Sequence, residues 1–129
     1  MIDRIIRNIP DYDKAGIYML KNTVTGKVYI GSSCHVRQRI IAHDYAMRNG
    51  QANQKMLPDI AEGHKFDCII VEKYDNITLA ELLDKENFYV HQYNSFYEGY
   101  NMACVPTYDV EFFRRTGNTH VVEWLEKKV

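Results

Sequence analysis

Residues 15–31 read Ala15-Gly16-Ile17-Tyr18-Met19-Leu20-Lys21-Asn22-Thr23-Val24-Thr25-Gly26-Lys27-Val28-Tyr29-Ile30-Gly31. Two apolar runs rich in strand formers flank the five-residue loop 22–26, whose Asn, Thr and Gly supply turn chemistry, so the stretch predicts an antiparallel hairpin. Ser32 and Ser33 follow as N-cap candidates for a helix over about 35–48. Within it Val36, Ile40 and Met47 lie at helical spacing, with His43 in the same stripe. Arg39 and His43 are four residues apart and so are neighbours on one helix face. Asn49-Gly50 ends the segment.

Further on, a short helix fits residues 53–61, limited by Pro58. The apolar, β-branched run at 66–74 reads as a central strand. Thr78 and Glu81 have the spacing of a capping box opening the longest helix, over about 79–93. After Pro106 the pattern suggests a strand near 108–113, a turn at Gly117-Asn118 and a helix near 119–127. Val121, Val122, Trp124 and Leu125 favour packing of that helix on the domain over a dimer contact. With no repeat, low-complexity tract or linker, the whole is an α+β domain with a small sheet flanked by helices.

A chain of 129 residues, 46% hydrophobic, can bury one core without disulfides. No apolar run approaches the roughly 18 residues a spanning helix needs, and the N-terminal stretch lacks a signal-peptide pattern. Cys34, Cys68 and Cys104 are odd in number and scattered, which points to a reducing, intracellular setting. They and the five histidines show no CxxC or HxxxH spacing, so a zinc site is not expected. The net charge of −1 hides an asymmetry: residues 1–55 carry nine Lys/Arg against four Asp, and residues 56–129 carry seven against thirteen acids. A basic half gathered on one face can attract a polyanion; scattered, it merely solubilises the surface.

Glu86 is the sharpest chemical clue. It falls inside the apolar stripe Leu79, Leu82, Leu83, Val90 and Tyr93, where a carboxylate is costly unless paired, hydrogen-bonded or bound to a cation. The plain alternative is a glutamate at the stripe margin that reaches solvent or a nearby base. Arg39 has the planar fork suited to phosphate oxygens, though most helical arginines are simply solvated. Tyr18 and Tyr29 are by default packing residues of a sheet.

Their order along the chain changes the weighting. Gly16-Ile17-Tyr18, ten intervening residues and Tyr29-Ile30-Gly31 resemble the signature of the GIY-YIG endonuclease family. The resemblance continues with Gly31-Ser32-Ser33, Arg39 and His43, Glu86-Asn87-Phe88-Tyr89, and Gly99-Tyr100-Asn101, and covers roughly residues 14–103. It has the flavour of the family's phage homing endonucleases. The resemblance implies a three-stranded antiparallel sheet flanked by helices, with a nuclease domain over 1–103, including a short N-terminal arm, and a C-terminal extension over 104–129. It also implies hydrolysis of double-stranded DNA. Glu86 would hold Mg²⁺, with Mn²⁺ an acceptable substitute. Arg39 would stabilise the transition-state phosphate, and Asn101 would support the site. Tyr18, Tyr29 and His43 would share activation of the attacking water, with the base among them left open. Lys27, Ser32, Arg37, Arg48, Asn53 and Lys55 are the candidate DNA contacts. Asn53 alone stands where many members carry a His or His-x-Asn element. Specificity would come from a short element, dimerisation or a partner protein, with the chain a monomer or weak homodimer. A module that binds DNA without cutting it is the alternative, and restriction or repair roles stay open within the enzyme class.

Overall fold

A computed structural model describes residues 3–102 and 110–128. The expected hairpin is present as β2 (Gly16–Asn22) and β3 (Val28–Ser33), paired antiparallel with Tyr18 opposite Gly31. The expected central strand is β4 (Phe66–Lys73), antiparallel to β2 on its other side. Strand alternation sorts the side chains of β2 between two cores. Tyr18 and Leu20 join Val36, Ile40, Met47, Met56 and Tyr100 on one face, while Ile17 and Met19 join Ile30, Leu82 and Val90 on the other. The β2–β4 register skips one residue of β4 between Ile17 and Tyr18, leaving a bulge beside Tyr18.

The sheet differs from the expected three strands by one. A two-residue strand β1 (Ile6–Arg7) runs parallel to β4, giving the order β1-β4-β2-β3. Its anchor is a buried carboxylate: Asp44 Oδ1 accepts from the backbone N–H groups of Ile5 (2.8 Å) and Ile6 (2.9 Å). Arg48 Nε donates to Asp44 Oδ2 at 2.9 Å, so the buried charge is both paired and hydrogen-bonded.

Helix α1 (Val36–Arg48) starts as expected but is not capped by Ser32 or Ser33. Its first turn is met by a distant loop instead: Val36 N donates to Lys14 O, Arg37 N to Tyr12 O and Gln38 N to Asp13 Oδ1. Helix α2 (Leu57–Ala61) is short, with its proline at the N-terminal turn where no N–H is needed. In α3 (Leu79–Gln92) the capping box is complete, with Glu81 N donating to Thr78 Oγ1 and Thr78 N to Glu81 Oε1.

The tail corrects one expectation. Residues 110–113 of the supposed strand lie in a helix, α4 (Val110–Arg115), and residues 108–109 fall outside the described part. A short apolar run does not distinguish strand from helix, and here Glu111 and Arg114 form an (i, i+3) ion pair that suits a helix. After a turn with Gly117 at φ 78°, α5 (Thr119–Glu126) buries Val122 and Leu125, leaving Trp124 half exposed. Leu79 N donates to Lys127 O, tying the start of α3 to the end of α5. Helices α1 and α2 therefore cover one face of the sheet and α3 the other, and β3 is an edge strand between them.

Candidate active site at the edge strand

The site straddles β3. On the α1 face, Tyr18 Oη and His43 Nε2 lie 2.8 Å apart. The Tyr29 ring closes a triangle, with centroids 6.4 Å from Tyr18 and 5.5 Å from His43. Gly31 makes this possible: a Cβ there would overlap the Tyr18 phenol, so the ring lies directly over the glycine. Burial, and then the neighbouring Tyr29, push the Tyr18 hydroxyl well above the ordinary phenol range, against the opposing pull of the Arg39 guanidinium. Burial and Glu86 raise Tyr29 in the same way. His43 moves down to about 4, chiefly through burial and then through Arg39. At neutral pH both groups favour their uncharged forms, and the direction of the Tyr18–His43 bond follows the imidazole tautomer, Nε2 accepting when the proton sits on Nδ1. Arg39, one turn before His43, is exposed at the mouth of a cleft of about 330 Å³ lined also by Tyr29, His43, Gln51 and Asn53.

On the α3 face stands Glu86. Ser32 Oγ donates to its Oε1 at 2.7 Å. Partial burial is the largest influence on its carboxyl and raises its pKa, while Ser32 and the Arg39 charge hold it down. The carboxylate faces the edge strand rather than the α3 surface, as its place in the apolar stripe suggested. No group of three or more His, Cys, Asp or Glu side chains that could hold a metal occurs among the described residues.

Asn101 touches neither the phenols nor Glu86. Its Nδ2 donates to Ile30 O and its Oδ1 accepts from Ile30 N, both at 2.9 Å, so its side chain pairs with the open edge of β3 like one residue of a further strand. Tyr100 N adds a bond to Val28 O, and a Cβ on Gly99 would collide with that same carbonyl.

The candidate DNA contacts divide. Lys27 is exposed at the hairpin turn. Ser32 is engaged with Glu86. Arg37 Nη1 donates to Pro10 O (2.9 Å), and Arg48 serves Asp44. Asn53 Nδ2 donates to Tyr100 O and its Oδ1 accepts from Met56 N, both at 2.9 Å. Lys55 Nζ donates to Phe96 O (2.6 Å) and Asn101 O (2.7 Å). Five of the six are thus occupied with the protein's own backbone or carboxylates. A count of basic residues carries no information on such partners, which lie 26 to 54 positions away in all cases except the local Arg48–Asp44 pair and the Asn53–Met56 turn. Ser32, offered as a DNA contact, bonds Glu86 in this structure, and Asp44 has no signal in the sequence beyond its place between Ile40 and Met47.

Two phenols, a neutral imidazole and a guanidinium on one side of an exposed strand edge, with one carboxylate on the other, define a small α+β domain of nuclease type. The model of the GIY-YIG catalytic domain matches residues 14–101, and the chain belongs to the GIY-YIG family. It is 34% identical over 94 residues to Intron-associated endonuclease 1 of Enterobacteria phage T4, and 30% identical over 93 residues to UvrABC system protein C of Petrotoga mobilis. These matches take in 70% and 71% of the chain but only 37% and 15% of the two relatives, so the chain spans a minor part of either. Among solved structures, the catalytic domain of homing endonuclease I-TevI superposes with a TM-score of 0.65 at 32% identity, covering 70% of this chain and 99% of that one. A single-substitution variant of the same domain gives 0.66 at 30% identity, covering 72% and 97%. No helix among the described residues is long and apolar enough to cross a membrane.

Proposed function

We propose that this chain is a Mg²⁺-dependent endonuclease that hydrolyses phosphodiester bonds of double-stranded DNA, with Mn²⁺ an effective substitute. The observation that carries the reading is the convergence at one strand edge of Tyr18, Tyr29, His43 and Arg39 from one face and Glu86 from the other.

Mg²⁺ keeps most of its waters and needs one or two carboxylates plus substrate phosphates, so a half-buried Glu86 at an open edge fits it. When bound, the cation supplies charge neutralisation at the scissile phosphate and the leaving 3′ oxygen. Arg39 places its fork on the remaining phosphate oxygens. Tyr18, with its raised pKa, is scarcely ever the phenolate at neutral pH and therefore acts as a relay rather than as a resident base. Its Oη takes a proton from the attacking water while passing its own to His43 Nε2. The bound phosphate's negative charge raises the proton affinity of His43 for that step. Tyr29 borders the relay, and Asn101 fixes β3 beneath it.

Among the candidate cations, Lys27 and Arg39 are exposed and take the DNA contacts in this reading. Arg37, Arg48, Asn53 and Lys55 are left out, because their polar ends are spent internally. The relation to an intron endonuclease favours a homing or phage-competition role, acting inside a cell, with target choice supplied by dimerisation or a partner. Supercoiled plasmid incubated with Mg²⁺ or EDTA tests the reading, beside Glu86→Ala and Arg39→Ala. Nicking that needs metal and falls at least about 1000-fold in either variant is expected. A wild type that binds DNA but cuts no substrate makes the chain a binding module, and full activity in Glu86→Ala removes the metal site.

A further inference from the structure

Lys55 reads from sequence as one more cation for DNA, yet its exposed side chain folds back onto the protein's own backbone. Nζ donates to the carbonyls of Phe96 (2.6 Å) and Asn101 (2.7 Å) and lies 4.9 Å from the centre of the Phe96 ring. Two residues earlier, Asn53 Nδ2 donates to Tyr100 O. Residues 53–55 thus hold the carbonyls of Phe96, Tyr100 and Asn101 in one grip. The other end of that segment holds β3: Tyr100 N binds Val28 O, and the Asn101 amide binds both backbone groups of Ile30. Ile30 lies between Tyr29, a wall of the cleft, and Gly31, on which the Tyr18 ring rests. Asn53 also lines the cleft that Arg39 and His43 face.

We infer that Lys55 is a positioning residue for the reaction. Through Asn101 it fixes the height of β3 against α1, and so the spacing of Tyr29 and Tyr18 from His43 and Arg39. The inference rests on the nuclease reading for its kinetic consequence but not for its structural one. A side-chain amide can pair with Ile30 only if its own backbone is held still. The three carbonyls of this segment, two of them on a charged donor, hold it together with the bond from Asn101 N to Ser95 O; bonds to a charged donor are the stronger kind. Two of the three ammonium donors are directed at carbonyls, so this geometry is that of a backbone clamp before it is that of a phosphate contact.

The test uses the full chain with Lys55→Met, which keeps the stem on Phe96 and removes the charge, and Lys55→Arg, which restores a donor. Lys55→Met is expected to lower kcat roughly 10- to 100-fold, as a small misplacement of reacting groups does. KM should be unchanged, as should DNA affinity measured in EDTA and its salt dependence. Lys55→Arg should recover most of the rate. Exchange of the Ile30 amide hydrogen, followed by NMR, should accelerate in Lys55→Met while amides of β4 keep their protection; this holds whether or not the wild type cuts DNA. Weakened DNA binding with a salt slope reduced by about one would make Lys55 a phosphate contact and overturn the inference. An unchanged kcat in Lys55→Met with an active wild type would also overturn it. If no substrate is cut by the wild type, the nuclease reading fails, and unaltered Ile30 exchange then overturns the clamp separately.

Discussion

The two sides of β3 build their share of the site by different means. On the α1 side, Tyr18, Tyr29 and His43 are rings pressed together by packing, each shifted by burial toward its uncharged form. On the α3 side, one carboxylate is held by one hydroxyl, and the same burial acts against the charge its proposed role needs. The first side depends on shape and the second on electrostatics. Mutations that change volume should therefore break the α1 side, and mutations that delete a donor should break the α3 side.

The largest effect is expected from Gly31→Ala. The added methyl would overlap the Tyr18 ring, which is fully buried and has no room to retreat. We expect a loss of about 3 kcal/mol in unfolding free energy by urea titration, with loss of activity before global unfolding. The double variant Gly31→Ala/Tyr18→Ala should regain part of that stability. If Gly31→Ala alone is as stable and active as the wild type, shape does not govern this side.

What the sequence shows of the molecule follows the range of the interactions. The hairpin, the capping box at Thr78–Glu81 and the stripe of α3 are local, and the structure has them where residue spacing put them. The order Tyr18, Tyr29, Arg39, His43, Glu86 is also legible, because the family pattern encodes what spacing alone leaves ambiguous. Long-range partnerships are not legible. Strand β1 is anchored by Asp44, some 38 residues away, which accepts the N–H groups of Ile6 and of Ile5 just before it. The first turn of α1 is satisfied by the loop at Lys14 and Asp13 rather than by the adjacent serines. A basic residue looks alike in sequence whether it faces solvent, as Lys27 does, or a pair of carbonyls, as Lys55 does. The helix at 110–115 was misread for a different reason: six residues of mixed character carry too little periodicity to decide.

The next effect concerns the proton inventory of the α1 side. His43 has a folded pKa near 4 against 6.5 when free, so the unfolded chain binds more protons between those values. Its contribution is fully present above about pH 6.5 and is lost as pH falls toward 4. At roughly 1.4 kcal/mol per unit, and discounted for partial solvent access, the loss is about 2 kcal/mol. His43→Gln should flatten the acid side of the stability profile by that amount, measured by urea unfolding from pH 4 to 8 as a difference from the wild type. Superimposable profiles would mean the ring is not held neutral by burial, and the proposed acceptor for the Tyr18 proton would go with it.

The smallest effect tests the α3 side alone. Ser32→Ala leaves the fold nearly unchanged, since the side chain is half-buried and packs little, but it removes the bond that holds Glu86 Oε1. Because that bond favours the ionised carboxylate, its loss raises the Glu86 pKa further. The acid limb of the nicking rate should then move to higher pH, with a drop of about tenfold at neutral pH and a greater Mg²⁺ requirement. Ser32→Thr, which keeps the hydroxyl, should restore the limb. The sequence offered Ser32 as a DNA contact, and that role makes the opposite forecast: weaker DNA binding in EDTA with the acid limb unmoved. One pH titration and one binding isotherm therefore decide whether the serine acts on the carboxylate or on the substrate. If the carboxylate needs the serine in order to stay charged, the α3 side is more than a single residue, because strand β3 then positions groups for both faces at once.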